Sequence, residues 1–171
     1  MLVAAATALS ACSSGTSWQC SVPNGKYRQF PVVIKNGAAT LTGQIRFDRG
    51  DFQGEWRPKA VAAFTDASNL INFDGTGDCY CNGVRAMVYP QEPDIVRFFL
   101  IANGQETGMA QGPIGTPITF RVEVDPQDLM RVTIGKTNPV VQTAQLAPAE
   151  RNSVRLSCSS GDFTFMGVKA A

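Results

Sequence analysis

Short runs rich in Val, Ile, Phe and Thr alternate along this chain with clusters of Gly, Pro, Asn and Asp, and nowhere do the apolar residues recur at the helical period. Residues 30–35, 38–47, 56–65, 80–89, 95–102, 118–124, 130–134, 140–146, 154–158 and 163–168 read as strands. The segments between them, "DRGD", "FDGTGD", "YPQEPD", "ANGQ", "QGPIGTP", "DPQD", "KTNP" and "SSGD", have the composition of turns. Within residues 38–47, Leu41, Gly43, Ile45 and Phe47 alternate with Thr42, Gln44 and Arg46, so one face is buried and the other wet. Asn36-Gly37 sits between two β-rich runs and predicts a two-residue hairpin, because both turn positions need positive φ. "TAQLAPAERN" supports at most a short helix ending near Pro148. The expected fold is an all-β antiparallel sandwich of jelly-roll type with little or no helix.

"LTGQIRFDRGDFQGEWRPKAVAAFTD", "DIVRFFLIANG" and "PITFRVEVDPQDLMRVTIGK" together resemble the strand succession of laminin-G-like and concanavalin-A-like jelly-roll domains. The resemblance implies a curved two-sheet sandwich whose concave face or rim loops hold sugars or protein ligands. It transfers no binding residue.

The N-terminal stretch Leu2-Val3-Ala4-Ala5-Ala6-Thr7-Ala8-Leu9 is apolar and too short to span a membrane, which needs about 20 such residues. "LSAC" resembles the end of a bacterial lipoprotein signal, in which small residues precede the cysteine that is acylated. The resemblance implies a signal peptide at 1–11, lipid on Cys12, a polar tether through residue 17 and one domain over 18–171. No Lys or Arg precedes the apolar stretch, so the start codon is expected upstream of Met1. The protein is then held in a bacterial envelope by its lipid anchor, facing the periplasm or the exterior.

Fifteen basic and 14 acidic side chains leave a net charge of +1, with no basic run to attract nucleic acid. Cys20, Cys79, Cys81 and Cys158 remain beside Cys12, an even number that in an exported chain favours disulfides. A link from Cys158 to Cys20, or to one of Cys79 and Cys81, would constrain the unfolded chain most. A direct Cys79–Cys81 bridge along a strand would be strained.

The chain has no His, which excludes Ser-His-Asp and Cys-His hydrolysis and His-ligated zinc. Glu123, Asp125 and Asp128 in "EVDPQD" approach the E-x-D-x-x-E arrangement of some jelly-roll glucanases, where carboxylates from one strand act as nucleophile and acid. Pro126 interrupts such a strand, and Asp125-Pro126-Gln127-Asp128 reads better as a β-turn. "IGKT" lacks the upstream glycine of a phosphate loop, so no nucleotide is expected. Asp74 and Asp78 in "DGTGD" offer two carboxylates to calcium but no third at the required spacing, and a plain glycine turn is the better reading. No metal or other cofactor is implied.

Trp18, Tyr27, Trp56, Tyr80 and Tyr89 are the aromatic groups that could stack on a sugar ring. Trp56 and Tyr89, lying in strands, are expected in the core. The functional expectation is a non-enzymatic envelope lipoprotein presenting a β-sandwich surface to an envelope glycan or protein. The alternatives are a carboxylate-dependent polysaccharide hydrolase and a structural component of a surface complex.

Overall fold

The computed structural model describes residues 15–32, 39–54, 56–65, 81–147 and 153–171. Among them are ten strands and no helix: β1 (Thr16–Val32), β2 (Thr40–Gly50), β3 (Lys59–Thr65), β4 (Cys81–Tyr89), β5 (Glu92–Ala102), β6 (Gln105–Pro113), β7 (Ile118–Val124), β8 (Leu129–Ile134), β9 (Val140–Gln145) and β10 (Ser153–Ala170). Every pairing is antiparallel, in the order β6-β5-β4-β3-β10-β2-β7-β8-β9, with β1 alongside β10.

The long strand β10 makes two layers of this sheet. Its residues 153–159 pair with β3, its residues 161–170 pair with β2, and β1 follows both halves. Between the halves Ser160 takes φ 56°. Opposite, the β1 register slips between Val22 and Tyr27, around Gly25 at φ 71°. Irregularities at one level on both strands bend the β1/β10 ribbon, as bulges do. Its halves then belong to different layers: β6-β5-β4-β3-β10-β1 and β9-β8-β7-β2-β10-β1. The stacking follows, with β2 meeting β3, β4 meeting β7 and β8, and both β5 and β6 meeting β9.

Alternation decides which side chains fill the space between the layers. Leu41, Ile45 and Phe47 of β2, Phe120 and Val122 of β7, and Met130 and Val132 of β8 meet Phe64, Val84, Phe98 and Leu100 from the other layer. Gly43 leaves room for Phe120 and Val168, whose side chains already lie 3.1 and 2.9 Å from where a Cβ would stand. Cys20 and Cys158 are both in this core and form a disulfide, with Cα atoms 6.5 Å apart. Cys20 pairs across to Phe163 and Cys158 to Ala60, so the bond ties one layer to the other beside the bend. Cys81 is also disulfide-bonded.

Five expectations from the sequence change. The runs at 154–158 and 163–168 are one strand, and "SSGD" between them is a bulge. The strands flanking Asn36-Gly37 do not pair with each other: the end of β1 meets Val154 to Leu156, the start of β2 meets Val122 and Glu123, and they lie in different layers. Thr16 and Ser17, assigned to the tether, are strand, because β10 offers them a partner edge. Strand β6 has no counterpart among the predicted runs. Trp56 and Tyr89 are half-buried rather than core. Cys12, Asn36, Gly37, Asp74, Asp78, Cys79, Tyr80 and Pro148 lie outside the described residues.

Candidate ligand-binding face

The layer containing β3, β4 and β5 has a second face, turned away from the core. Val61, Ala63, Cys81 and Ile101 cluster there, separately from the main core. Cross-strand pairing sets side chains on this face in rows. Tyr27, Ser159, Lys59, Met87, Arg97 and Gln111 form one, crossing β1, β10, β3, β4, β5 and β6. At roughly 4.8 Å between strands the row is about 24 Å long. Tyr27 and Gln111 are exposed at its ends, whereas Ser159, Lys59 and Met87 are buried at its centre.

The neighbouring row carries Arg85 and Phe99 as cross-strand partners. Arg85 is 3% exposed and pairs with Glu106 on β6, an arrangement that satisfies a buried charge and fixes geometry more than it stabilises. Phe99 is half-buried, and the strand opposite it holds Gly108, which has no side chain to cover the ring. The sequence reading places Phe99 in the strand at 95–102 without singling it out. The distinguishing signal is strand phase, since Phe98 faces inward and Phe99 must then face outward.

Beside these rows, where β4 ends, lies a cluster around Tyr89. The Arg57 and Arg97 guanidinium groups stand 5.0 and 5.4 Å from the ring centroid, and Arg97 also pairs with Glu92. Three consecutive carbonyls hold the segment that carries Arg57. The Trp56 carbonyl accepts from Asn24 Nδ2 at 3.0 Å, that of Arg57 from Ser159 Oγ at 3.3 Å, and that of Pro58 from the Val88 N–H at 3.1 Å. Asn24, at the bend of β1, also donates its side-chain amide to the Asp51 carbonyl at 2.8 Å and its backbone N–H to the Asp51 carboxylate at 2.9 Å. The bend that divides the layers therefore also positions Arg57.

The outer face of the other layer is different in kind. It carries three ion pairs, Arg46 with Asp48, Arg49 with Asp162, and Arg121 with Glu123. Glu123 lies on this face, with the Arg121 guanidinium hydrogen-bonded to it at 2.7 Å and holding its carboxyl below the usual range. Asp125 turns its carboxylate on its own backbone, accepting from the N–H groups of Gln127 at 2.8 Å and Leu129 at 2.9 Å. The Asp128 N–H donates to the Asp125 carbonyl at 3.1 Å, and Asp128 takes φ 59°. The three carboxylates thus occupy a strand face and a hairpin tip. Trp18 stacks between Phe30 and Phe165, at 5.4 and 5.6 Å, as part of the packing around the core. Among the described residues no group of His, Cys, Asp and Glu side chains is placed to hold a metal ion.

No protein-family profile and no curated protein matches the chain by sequence. Among solved structures, an alginate lyase from Pseudomonas aeruginosa superposes with a TM-score of 0.53 at 13% identity, over 78% of this chain and 64% of the lyase. A Bacillus licheniformis β-glucanase gives 0.50 at 11% identity, over 84% of this chain and 70% of the glucanase. The chain has an all-β, jelly-roll-type sandwich fold. A carbohydrate-binding module of Bacillus subtilis, CBM66, is similar over 90% of this chain and 89% of its own, at 16% identity and a TM-score of 0.49. At these identities the likeness is one of fold.

Proposed function

We propose that this chain is an exported, lipid-anchored β-sandwich that binds an envelope glycan on the outer side of the β3, β4 and β5 layer, through the groups exposed there and not through its buried centre. The observation that carries this reading is the contrast between the two outer faces. On one, the ion pairs Arg46–Asp48, Arg49–Asp162 and Arg121–Glu123 lie among short polar side chains, and no aromatic ring is found among its described residues. On the other, Tyr27, Phe99, Gln111 and the Arg57–Tyr89–Arg97 cluster offer rings and hydrogen-bond donors along adjoining rows. An apolar ring face beside polar donors is what a sugar ring, apolar on its C–H face and polar at its rim, requires. The fold shared with a lyase and a glucanase supports a saccharide over other ligands.

Strand β1 begins at Thr16, so three residues, and four Cα-to-Cα steps, separate it from Cys12. A lipid on Cys12 would hold the first strand within about 14 Å of the bilayer surface, flush with the membrane and without a stalk. Glycan and membrane are then reached together.

Protein extracted from membranes, weighed intact and run through gels containing immobilised polysaccharides tests the whole reading. The expected mass lacks residues 1–11 and includes acyl chains, and at least one polysaccharide retards the protein. Phe99→Ala and Tyr27→Ala weaken that retardation without releasing sugar products. An unretarded protein that co-purifies stoichiometrically with another protein would make this an assembly component instead, and an unacylated mass retaining Met1 would overturn the anchor.

A further inference from the structure

We propose that the glycan is acidic, and that Arg57 and Arg97 bind its carboxylate or sulfate groups; this rests on the glycan-binding reading above. Tyr89 was a candidate stacking platform, but two guanidinium groups lie within about 6 Å of its ring, where the π quadrupole attracts cations. The ring is already engaged. Its role is to hold two cations side by side, and what remains to meet a ligand is their N–H edges.

Those edges select for negative charge. A guanidinium offers donors in a planar fork that matches a carboxylate or a sulfate, and such charge-assisted bonds are about twice as strong as neutral ones. Among the described residues of the cluster one carboxylate, Glu92, faces two cations. The Glu92–Arg97 pair is itself over two-fifths exposed on both sides, so it is screened and exchangeable for a ligand anion. Arg57 is exposed and forms no ion pair among the described residues. The Nε of Arg97 is buried and has no acceptor.

The cations are also pre-positioned. The three anchored carbonyls of residues 56–58 fix the Arg57 backbone, and β4–β5 pairing fixes Tyr89 opposite Glu92 and Arg97 opposite Met87. Little ordering is left for the ligand to impose. The chain's net charge of +1 gives no general attraction to polyanions, so selectivity has to come from this local placement.

The experiment compares binding of the intact protein to polygalacturonate, dextran sulfate and a neutral β-glucan, by titration calorimetry at low and raised salt. Wild-type protein is expected to prefer at least one anionic polymer, with affinity falling as salt rises. The carboxylate and sulfate arms identify which anion it takes. Arg57→Gln and Arg97→Gln should each weaken that binding by roughly tenfold, and Arg57→Lys should recover part of it. Equal affinity for the neutral glucan, or Gln variants that bind as wild type, would overturn the charge selection while leaving glycan binding intact. Silence on all three polymers and on the immobilised polysaccharides would remove both readings. Arg57 is at the surface, and circular dichroism of its Gln variant establishes that the fold is retained.

Discussion

Glu123 and Asp125 carry the same functional group two positions apart, yet the structure gives them unrelated work. Glu123 pairs with Arg121 on an outer face, and Asp125 closes the β7–β8 turn. Because Arg121 stabilises the ionised form, the folded-state pKa of Glu123 lies below its unfolded value. That stability is present above the unfolded pKa and is lost as pH falls through the lowered folded value. The pair is more than a third exposed on both sides, so its worth is below about 1 kcal/mol. Glu123→Gln is therefore expected to lower stability slightly at neutral pH and not at all in strong acid, as urea titrations at the two pH values would show. Glycan binding should be unchanged; loss of a polysaccharide-cleaving activity on this substitution would instead revive the hydrolase reading. The turn at Asp125 was legible because its chemistry is local. The partner of Glu123 was less so, and the half-burial of Trp56 and Tyr89 not at all, since exposure depends on what the rest of the chain brings alongside.

Strand β10 carries the largest departure at the level of elements. "SSGD" has the composition of a turn, and the backbone does leave the strand conformation there, with Ser160 at φ 56°. The chain nevertheless continues as one bent strand into its second half because β1 supplies a partner edge on both sides of the irregularity. A Cβ on an L residue makes the left-handed region costly by about 1–2 kcal/mol, and the Ser160 Oγ is buried without a partner. Ser160→Gly removes both costs and adds some unfolded-chain entropy, so a net gain of about 1 kcal/mol is expected in denaturant unfolding. Gly161→Ala should do the opposite, because its Cβ would come 2.5 Å from the Arg49 carbonyl oxygen. A stabilised Gly161→Ala would mean that the two halves of β10 are less tightly held than described. Strand β6 escaped notice for a complementary reason. "QETGMAQGP" is polar and holds two glycines, as suits an exposed edge strand, and its period is hidden because little of it is buried. The turn leading into it was readable: Asn103 and Gly104 both take positive φ, at 51° and 76°, as a two-residue hairpin demands.

Across the whole molecule the two layers are joined on opposite sides by different means. On one side the β1/β10 ribbon runs through both, stapled by Cys20–Cys158. On the other, Gln142 of β9 donates to the Gly108 carbonyl of β6 at 2.9 Å, while Asn103 donates to the Gln145 carbonyl at 2.8 Å and accepts from the Ala147 N–H at 2.9 Å. The disulfide closes a loop with a sequence separation of 138, long enough to restrict the unfolded chain severely. Replacing Cys20 and Cys158 together by Ser is expected to cost about 2–5 kcal/mol, seen as a lowered urea midpoint, with glycan binding preserved wherever the variant stays folded. An unchanged midpoint would show that the hydrogen-bonded side and the core hold the layers without it. The sequence by itself determined that this chain is all-β and where its one-faced strands lie, because alternation and turn chemistry act between near neighbours. It also narrowed the disulfide to a few pairings and ruled out histidine chemistry. Which strands share a layer, how β10 serves both, and which face gathers Arg57, Tyr89 and Arg97 were decided by tertiary structure alone. Those outcomes depend on pairings between residues more than a hundred positions apart, such as Arg28 with Cys158, for which neighbouring residues carry no signal.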